Sequence, residues 1–167
     1  MRPSKDDYFM GLAKLAAQRT TCIRRGVGCV LVNERGHILS IGYNGVAAGL
    51  PHCNELKPGL DAWQQTEALP EYFPHACAGH NLPPGQDSCG AVHAEVNAVL
   101  QCRDPWAIAA AYVTLSPCVP CLKLLLNTSC KEIVFLAEHA GPNGSMSQDL
   151  WLRAGRTWRK IERPAQK

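Results

Sequence analysis

Four residues in this 167-residue chain have the types and spacing to do chemistry together: His93, Glu95, Cys118 and Cys121. A histidine and a Cys-x-x-Cys pair offer three soft or borderline ligands. A catalytic zinc takes three protein ligands and leaves its fourth position to water. Glu95 is not needed as a ligand, so it is free to move protons. The same residues have plainer readings: a structural zinc knuckle of one histidine and two cysteines, or buried free thiols. Pro117 before the first cysteine and Glu95 after the histidine favour the catalytic reading, since a lone Cys-x-x-Cys is far less specific.

Two helix starts must position these groups. Pro117 precedes Cys118, and Leu122, Leu124, Leu125 and Leu126 follow. That places the cysteines on the first turn of a helix running to about Thr128, where unpaired backbone N–H groups favour thiolates. Between Ala91 and Cys102, apolar residues at 92, 96, 99 and 100 predict a second helix with His93 and Glu95 in its first turn. Residues two apart do not share a helix face, so this pair can converge only near the frayed start.

The rest of the chain supplies a frame. Ser4, with Asp7 three residues on, resembles a capping box, and Phe9, Leu12, Ala13 and Ala16 predict an amphipathic helix over 5–20. Cys29 to Val32 reads as a buried strand, Asn33 to Gly36 as a turn and Ile38 to Ile41 as the second strand of a hairpin. The glycines of Gly42-Tyr43-Asn44-Gly45 permit close backbone approach to a ligand, or form a plain turn. Ala109 to Leu115 reads as a strand that delivers Ser116 and Pro117 to the metal. Ile133 to Leu136 is another, aiming His139 at the same end of the sheet. Gly141 to Ser147 reads as a loop, Gln148 to Ala154 as a short helix stopped by Gly155, and Thr157 to Ile161 as a last strand. The tail after Arg163 is expected to be disordered. This order predicts one domain over 1–167, a three-layer α/β/α sandwich with a mixed five-stranded sheet, its site at the carboxyl ends of parallel strands.

Net charge is +3, too slight to imply nucleic-acid binding by itself. No apolar run approaches the length of a membrane span, and Asp6 and Asp7 stand where a signal peptide would be apolar. A cytoplasmic protein is expected, without nucleic-acid or membrane partners. In a reducing compartment, metal ligation accounts for nine cysteines better than disulfides do. Residues 46–90 form an insertion with little periodicity and six prolines. A loop this long is uncommon unless functional or stapled. Its cysteines and histidines suggest a second, structural metal site, with Cys22, Cys53, Cys77 and Cys89 as first choices and His75 and His80 as competitors. Ordinary buried cysteines are the alternative.

These motifs carry a family resemblance. His-x-Glu followed by Pro-Cys-x-x-Cys is the general signature of zinc deaminases. Arg24-Arg25-Gly26-Val27-Gly28, Gly42-Tyr43-Asn44-Gly45, Pro51-His52-Cys53-Asn54-Glu55, His93-Ala94-Glu95 with Asn97-Ala98, and Thr114-Leu115-Ser116-Pro117-Cys118 with Cys121 resemble the deoxycytidylate deaminases from about residue 5 to 162. The resemblance implies hydrolysis of dCMP to dUMP and ammonia, feeding thymidylate synthesis. It also implies activation by dCTP with Mg²⁺, inhibition by dTTP, and a homohexamer. Many such proteins carry an aromatic residue where His139 stands, at what resembles a base-stacking position.

On that resemblance the site residues take roles. His93, Cys118 and Cys121 hold Zn²⁺, which makes hydroxide available for attack at C4 of cytosine. Glu95 protonates N3 and then the leaving amine. The carbonyl of Ser116 accepts from the amino group, Asn44 binds the sugar hydroxyl, and Arg24 or Arg25 holds the 5′-phosphate. Solvated surface is an equally good account of either arginine alone. Gly42, Tyr43, Gly45 and Asn97 are candidates for a nucleotide triphosphate pocket. Other enzymes of the same chemistry would act on cytidine, dCTP or a tRNA adenosine, and the near-neutral charge argues against the last. A non-catalytic zinc-stabilised interaction module is the alternative of a different class.

Overall fold

The computed structural model describes residues 2–22, 25–49, 52, 90–139 and 142–161. Arg24, Cys53, Cys77, Cys89, His75 and His80, most of the insertion and the tail after Arg163 lie outside the described residues.

Helix α1 runs from Lys5 to Ala17 and begins where the capping pattern puts it. The Ser4 hydroxyl accepts from the backbone N–H of Asp7 at 3.0 Å. Asp6 and Asp7 lie at the positive end of the helix dipole and Lys14 near the negative end. The helix stops at Ala17, before the expected end near 20. Thr20 and Thr21 follow, and their hydroxyls bond to later segments instead of continuing the turn. Strands β1 (Gly28–Val32) and β2 (Ile38–Tyr43) form the hairpin, antiparallel with Val30 opposite Ile41. Asn33 closes its turn, accepting from the N–H groups of Arg35 and His37.

Strand β2 extends through Gly42 and Tyr43 and Gly45 opens the next strand, so of the tetrapeptide read as a turn only Asn44 lies outside a strand. Two-residue strands β3 (Gly45–Val46) and β4 (Ala91–Val92) pair antiparallel across the insertion. Helix α2 therefore begins at Ala94 and ends at Gln101, with His93 as its N-cap residue. Residues 91 and 92 were within the expected helix; pairing with β3 captures their backbone groups first. A single 3₁₀ turn at Pro105–Ala107 leads into β5 (Ala110–Leu115). Helix α3 (Val119–Leu126), β6 (Glu132–Ala137), α4 (Pro142–Arg153) and β7 (Thr157–Lys160) complete the chain.

Helix α4 corrects the reading of 141–147 as a loop, for it starts at Pro142. Proline is well suited to a first helical turn, where its missing N–H costs nothing. A glycine two residues later allows that turn to approach the backbone before it: a Cβ on Gly144 would lie 2.2 Å from the carbonyl oxygen of His139.

The sheet order is β2-β1-β5-β6-β7. β1 is antiparallel to β2 and β5, whereas β5, β6 and β7 run parallel. The mixed five-stranded sheet is the one the sequence predicts. Its two faces have separate apolar cores. Phe9, Met10 and Ala13 of α1 pack on Val30, Val32, Tyr112 and Val134. The other face buries Cys29, Leu31, Ala111, Val113, Ile133 and Phe135 under Ala94 and Ala98 of α2, Leu122 and Leu125 of α3 and Trp151 of α4. Among the described residues, no helix is long and apolar enough to cross a membrane.

Candidate metal centre

The two halves of the proposed site meet at the carboxyl end of β5. That strand leads through Ser116 and Pro117 to Cys118, the N-cap residue of α3, and Cys121 lies on the first turn. His93 caps α2 from an extended conformation, φ −72° and ψ 155°. Being outside the helix frees its ring from the 100° spacing of helical side chains, and this resolves the geometric demand of an i, i+2 pair. His93 Nδ1 lies 3.3 Å from the sulfur of Cys121 and 3.3 Å from that of Cys118. The three ligand atoms all fall within 4.8 Å of one another. Three such atoms surrounding one point, with both cysteines buried, fit a zinc ion.

The electrostatics agree with a metal-binding thiol pair. Hydrogen bonding to Cys121 pulls the Cys118 thiol well below its ordinary value, against the penalty of burial, and His93 lowers it further. Cys121 moves up, chiefly because it holds the proton that Cys118 gives away, and secondarily because it is buried. The pair thus shares one proton, and a bound dication would favour deprotonation of both sulfurs.

Glu95 is 4 % exposed, on the first turn of α2. Burial pushes its carboxyl up to about 7; its own backbone N–H pulls against this, Cys118 adds to it, and His93 and Cys121 oppose it. A carboxyl that titrates near neutrality can both take and return a proton.

The helix carrying His93 and Glu95 is seated by a glycine. A Cβ on Gly42 would lie 2.3 Å from the carbonyl oxygen of Ala94 and 2.4 Å from the N of Ala98, so only glycine lets β2 touch α2 there. Beside it, the Ser40 hydroxyl donates to the carbonyl of Ala98 at 2.7 Å, and Asn97 Nδ2 donates to the carbonyl of Tyr43 at 2.8 Å. Gly45 lies against the Thr21 hydroxyl, 2.7 Å from where its Cβ would stand. Close approach is thus real in this segment, and the partner seen is the chain itself.

Asn44 is buried and clamps the segment before β1. Its Oδ1 accepts from the Thr20 hydroxyl and the Val27 N–H, both at 2.8 Å, and its Nδ2 donates to the carbonyl of Arg25 at 2.7 Å. Arg25 itself is exposed. Ser116 is buried, and its hydroxyl accepts from the His139 N–H at 2.8 Å. That bond ties the loop after β6 to the cysteine loop and places His139, half-buried, at the site end of the sheet. Cys22 is half-buried; its three companions in the second-metal reading lie outside the described residues. Sequence reasoning missed the hydroxyls of Thr20 and Ser116 as struts. The one available signal was a threonine pair directly after a helix.

A mixed five-stranded sheet with helices on both faces and a His/Cys/Cys cluster at the end of a central strand defines a cytidine deaminase-like fold. A family model, the cytidine and deoxycytidylate deaminase zinc-binding region, matches residues 3–137. The chain belongs to this family; it is a hydrolytic deaminase with a zinc-binding region. The deoxycytidylate deaminase of Mycobacterium phage D29 is 36% identical over 138 residues, 82% of this chain and 98% of that protein. The deoxycytidylate deaminase of Homo sapiens is 30% identical over 160 residues, 93% of this chain and 78% of that one. The dCMP deaminase of cyanophage S-TIM5, solved with dCMP and dUMP, superposes with a TM-score of 0.66 over 96% of this chain and 99% of its own, at 23% identity. That likeness speaks to the fold.

Proposed function

We propose that this protein hydrolyses dCMP to dUMP and ammonia, with His93, Cys118 and Cys121 holding Zn²⁺ and Glu95 carrying protons. The observation that carries the reading is the convergence of one imidazole and two thiols beside a buried carboxyl raised to about 7. The choice of dCMP is supported by relatives named deoxycytidylate deaminase that match most of the chain.

When bound, the zinc supplies a Lewis acid that makes a water acidic enough to add to C4 of cytosine. Glu95 takes the proton from the attacking water and passes it to N3 of the ring. It then takes the proton of the new C4 hydroxyl and gives it to the amino group, so that the C4–N bond breaks, ammonia leaves and the C4 carbonyl forms. One carboxyl serves as base and then acid, which suits a group poised near the working pH. The first-turn N–H groups of α3 face the developing charge. The carbonyl of Ser116 orients the amino group, Asn44 engages the sugar hydroxyl, and Arg24 or Arg25 holds the 5′-phosphate. His139 stacks on the base, less extensively than a larger aromatic would.

Regulation by dCTP with Mg²⁺ and by dTTP, and assembly as a hexamer, belong to the same proposal. They rest on the resemblance, with Gly42, Tyr43, Gly45 and Asn97 as candidate effector residues. The test measures metal content and ammonia release from dCMP, dCTP, cytidine and deoxycytidine, with and without the triphosphates. One zinc per chain and preferential release from dCMP support the reading. Equal turnover of dCTP would widen the substrate class. Bound zinc without any ammonia would leave an interaction module in its place, and a response unaffected by dCTP and dTTP would remove the regulation.

A further inference from the structure

The far end of the cysteine helix is held by the Arg156 side chain, with the Thr128 hydroxyl also donating to the Leu125 carbonyl at 2.8 Å. Arg156 Nη1 donates to the carbonyls of Cys130 at 2.7 Å and Leu125 at 3.1 Å. Its Nη2 donates to the carbonyls of Leu126 at 2.8 Å and Thr128 at 3.4 Å. The guanidinium also lies 5.0 Å from the ring centroid of Trp151. Trp151 is fully buried, and its Nε1 donates to the carbonyl of Thr157 at 2.8 Å.

The chain aims Arg156 by a defined turn. Gly155 has φ +72°, the Gly155 N–H donates to the carbonyl of Leu152, and the Arg156 N–H donates to that of Trp151. This is the Schellman arrangement at the end of α4, and it needs glycine for its left-handed residue. The next residue then sits beside the end of α3.

A helix leaves its last four carbonyls without helical partners, and one of eight residues has little stability of its own. Arg156 takes up two of those carbonyls and two more from the following turn. Its planar fork suits several acceptors at once, it stacks on an aromatic face, and its charge complements the helix dipole. The helix is a rod about 12 Å long. Cys118 and Cys121 sit at its other end, facing His93 at the N-cap of a different helix. A tilt set at one end moves the sulfurs at the other, and a metal site tolerates only about 0.5 Å of error.

We infer that Arg156 is a positioning residue for the zinc site: by clamping the end of α3 it sets the separation of Cys118 and Cys121 from His93. The inference rests on the zinc reading above. It is tested in the full chain with R156K and R156A. The readouts are zinc affinity by chelator competition, the cobalt–thiolate spectrum after Co²⁺ substitution, thermal melting, and kcat with KM at saturating zinc. Lysine keeps the charge but cannot span four carbonyls, so R156K carries the test if R156A does not fold. The expected result for R156K is zinc affinity lower by about 10–100-fold, the range found for groups that orient metal ligands. An altered cobalt spectrum and a fall in kcat larger than any rise in KM accompany it. An R156K protein with lower melting temperature but parental zinc affinity and cobalt spectrum would overturn the inference alone. A parental chain that binds no zinc would overturn the zinc reading as well.

Discussion

Two carboxyl groups on opposite faces of the sheet have opposite characters. Glu95, under α2, is buried and its carboxyl is pushed up to about 7. Asp6, on α1, is held below its ordinary value, chiefly by hydrogen bonds from Arg159, with Tyr112 assisting against a modest burial penalty. Arg159 reaches Asp6 through both Nη1 and Nη2 and Glu132 through Nε at 2.9 Å. The Tyr112 hydroxyl donates to Asp6 at 3.0 Å. Those residues lie on α1, β5, β6 and β7, so the cluster fastens the helix to the strands from one edge. One carboxyl is locked ionised and fixes structure; the other keeps the ability to exchange a proton. Environment, rather than residue type, separates the two roles.

The sharpest way to break this contrast is to remove each carboxyl. E95A is expected to keep one zinc per chain and to lose about 10²–10⁴-fold in kcat. D6N should leave kcat at saturating substrate near the parental value. Metal analysis and steady-state kinetics decide it, and loss of zinc from E95A with turnover intact would reverse the assigned roles.

A second contrast sets Gly42 against Gly28. Each stands where a helix backbone touches the hairpin. A Cβ on Gly28 would lie 1.9 Å from the carbonyl oxygen of Ala13 in α1, as one on Gly42 would lie 2.3 Å from that of Ala94 in α2. Both G28A and G42A should destabilise by at least about 1–3 kcal/mol, as overpacking does. G42A should also lower kcat among molecules that remain folded, because α2 carries His93 and Glu95. Denaturant melts paired with kinetics at low temperature test this; an equal kcat loss from G28A would erase the distinction between faces.

The smallest effect concerns acid. Asp6 has a folded-state value below its unfolded one of about 4. Its contribution to stability is therefore present above that unfolded value and fades as pH falls through the folded one. D6N should lower the melting temperature at neutral pH and flatten its decline below about pH 4, so that the gap to the parent closes in acid. A parental slope in D6N would show that the cluster is not what titrates.

Much of this was legible beforehand. The apolar spacing of 9, 13 and 16 and the Ser4 cap fixed α1, and the β-branched runs fixed the strands. These are local effects, readable from neighbouring residues. The misreadings fall where other contacts compete with the local pattern. Ala91 and Val92 looked helical until β3 offered them a partner, and 141–147 looked like a loop from its proline, asparagine, glycines and serines, although its glycine lets the first turn of α4 pack on the His139 carbonyl just before it.

By itself, the sequence determined the ligand types, the carboxyl beside them and the alternation of helices and strands, since these follow from chemistry and periodicity within short windows. What the tertiary structure adds is that His93 lies outside its helix, that Gly42 lies against the backbone of α2, and that Arg156 meets the end of the cysteine helix. Each of those depends on backbone groups brought together from far along the chain. A lone residue type says nothing about which carbonyl will face it.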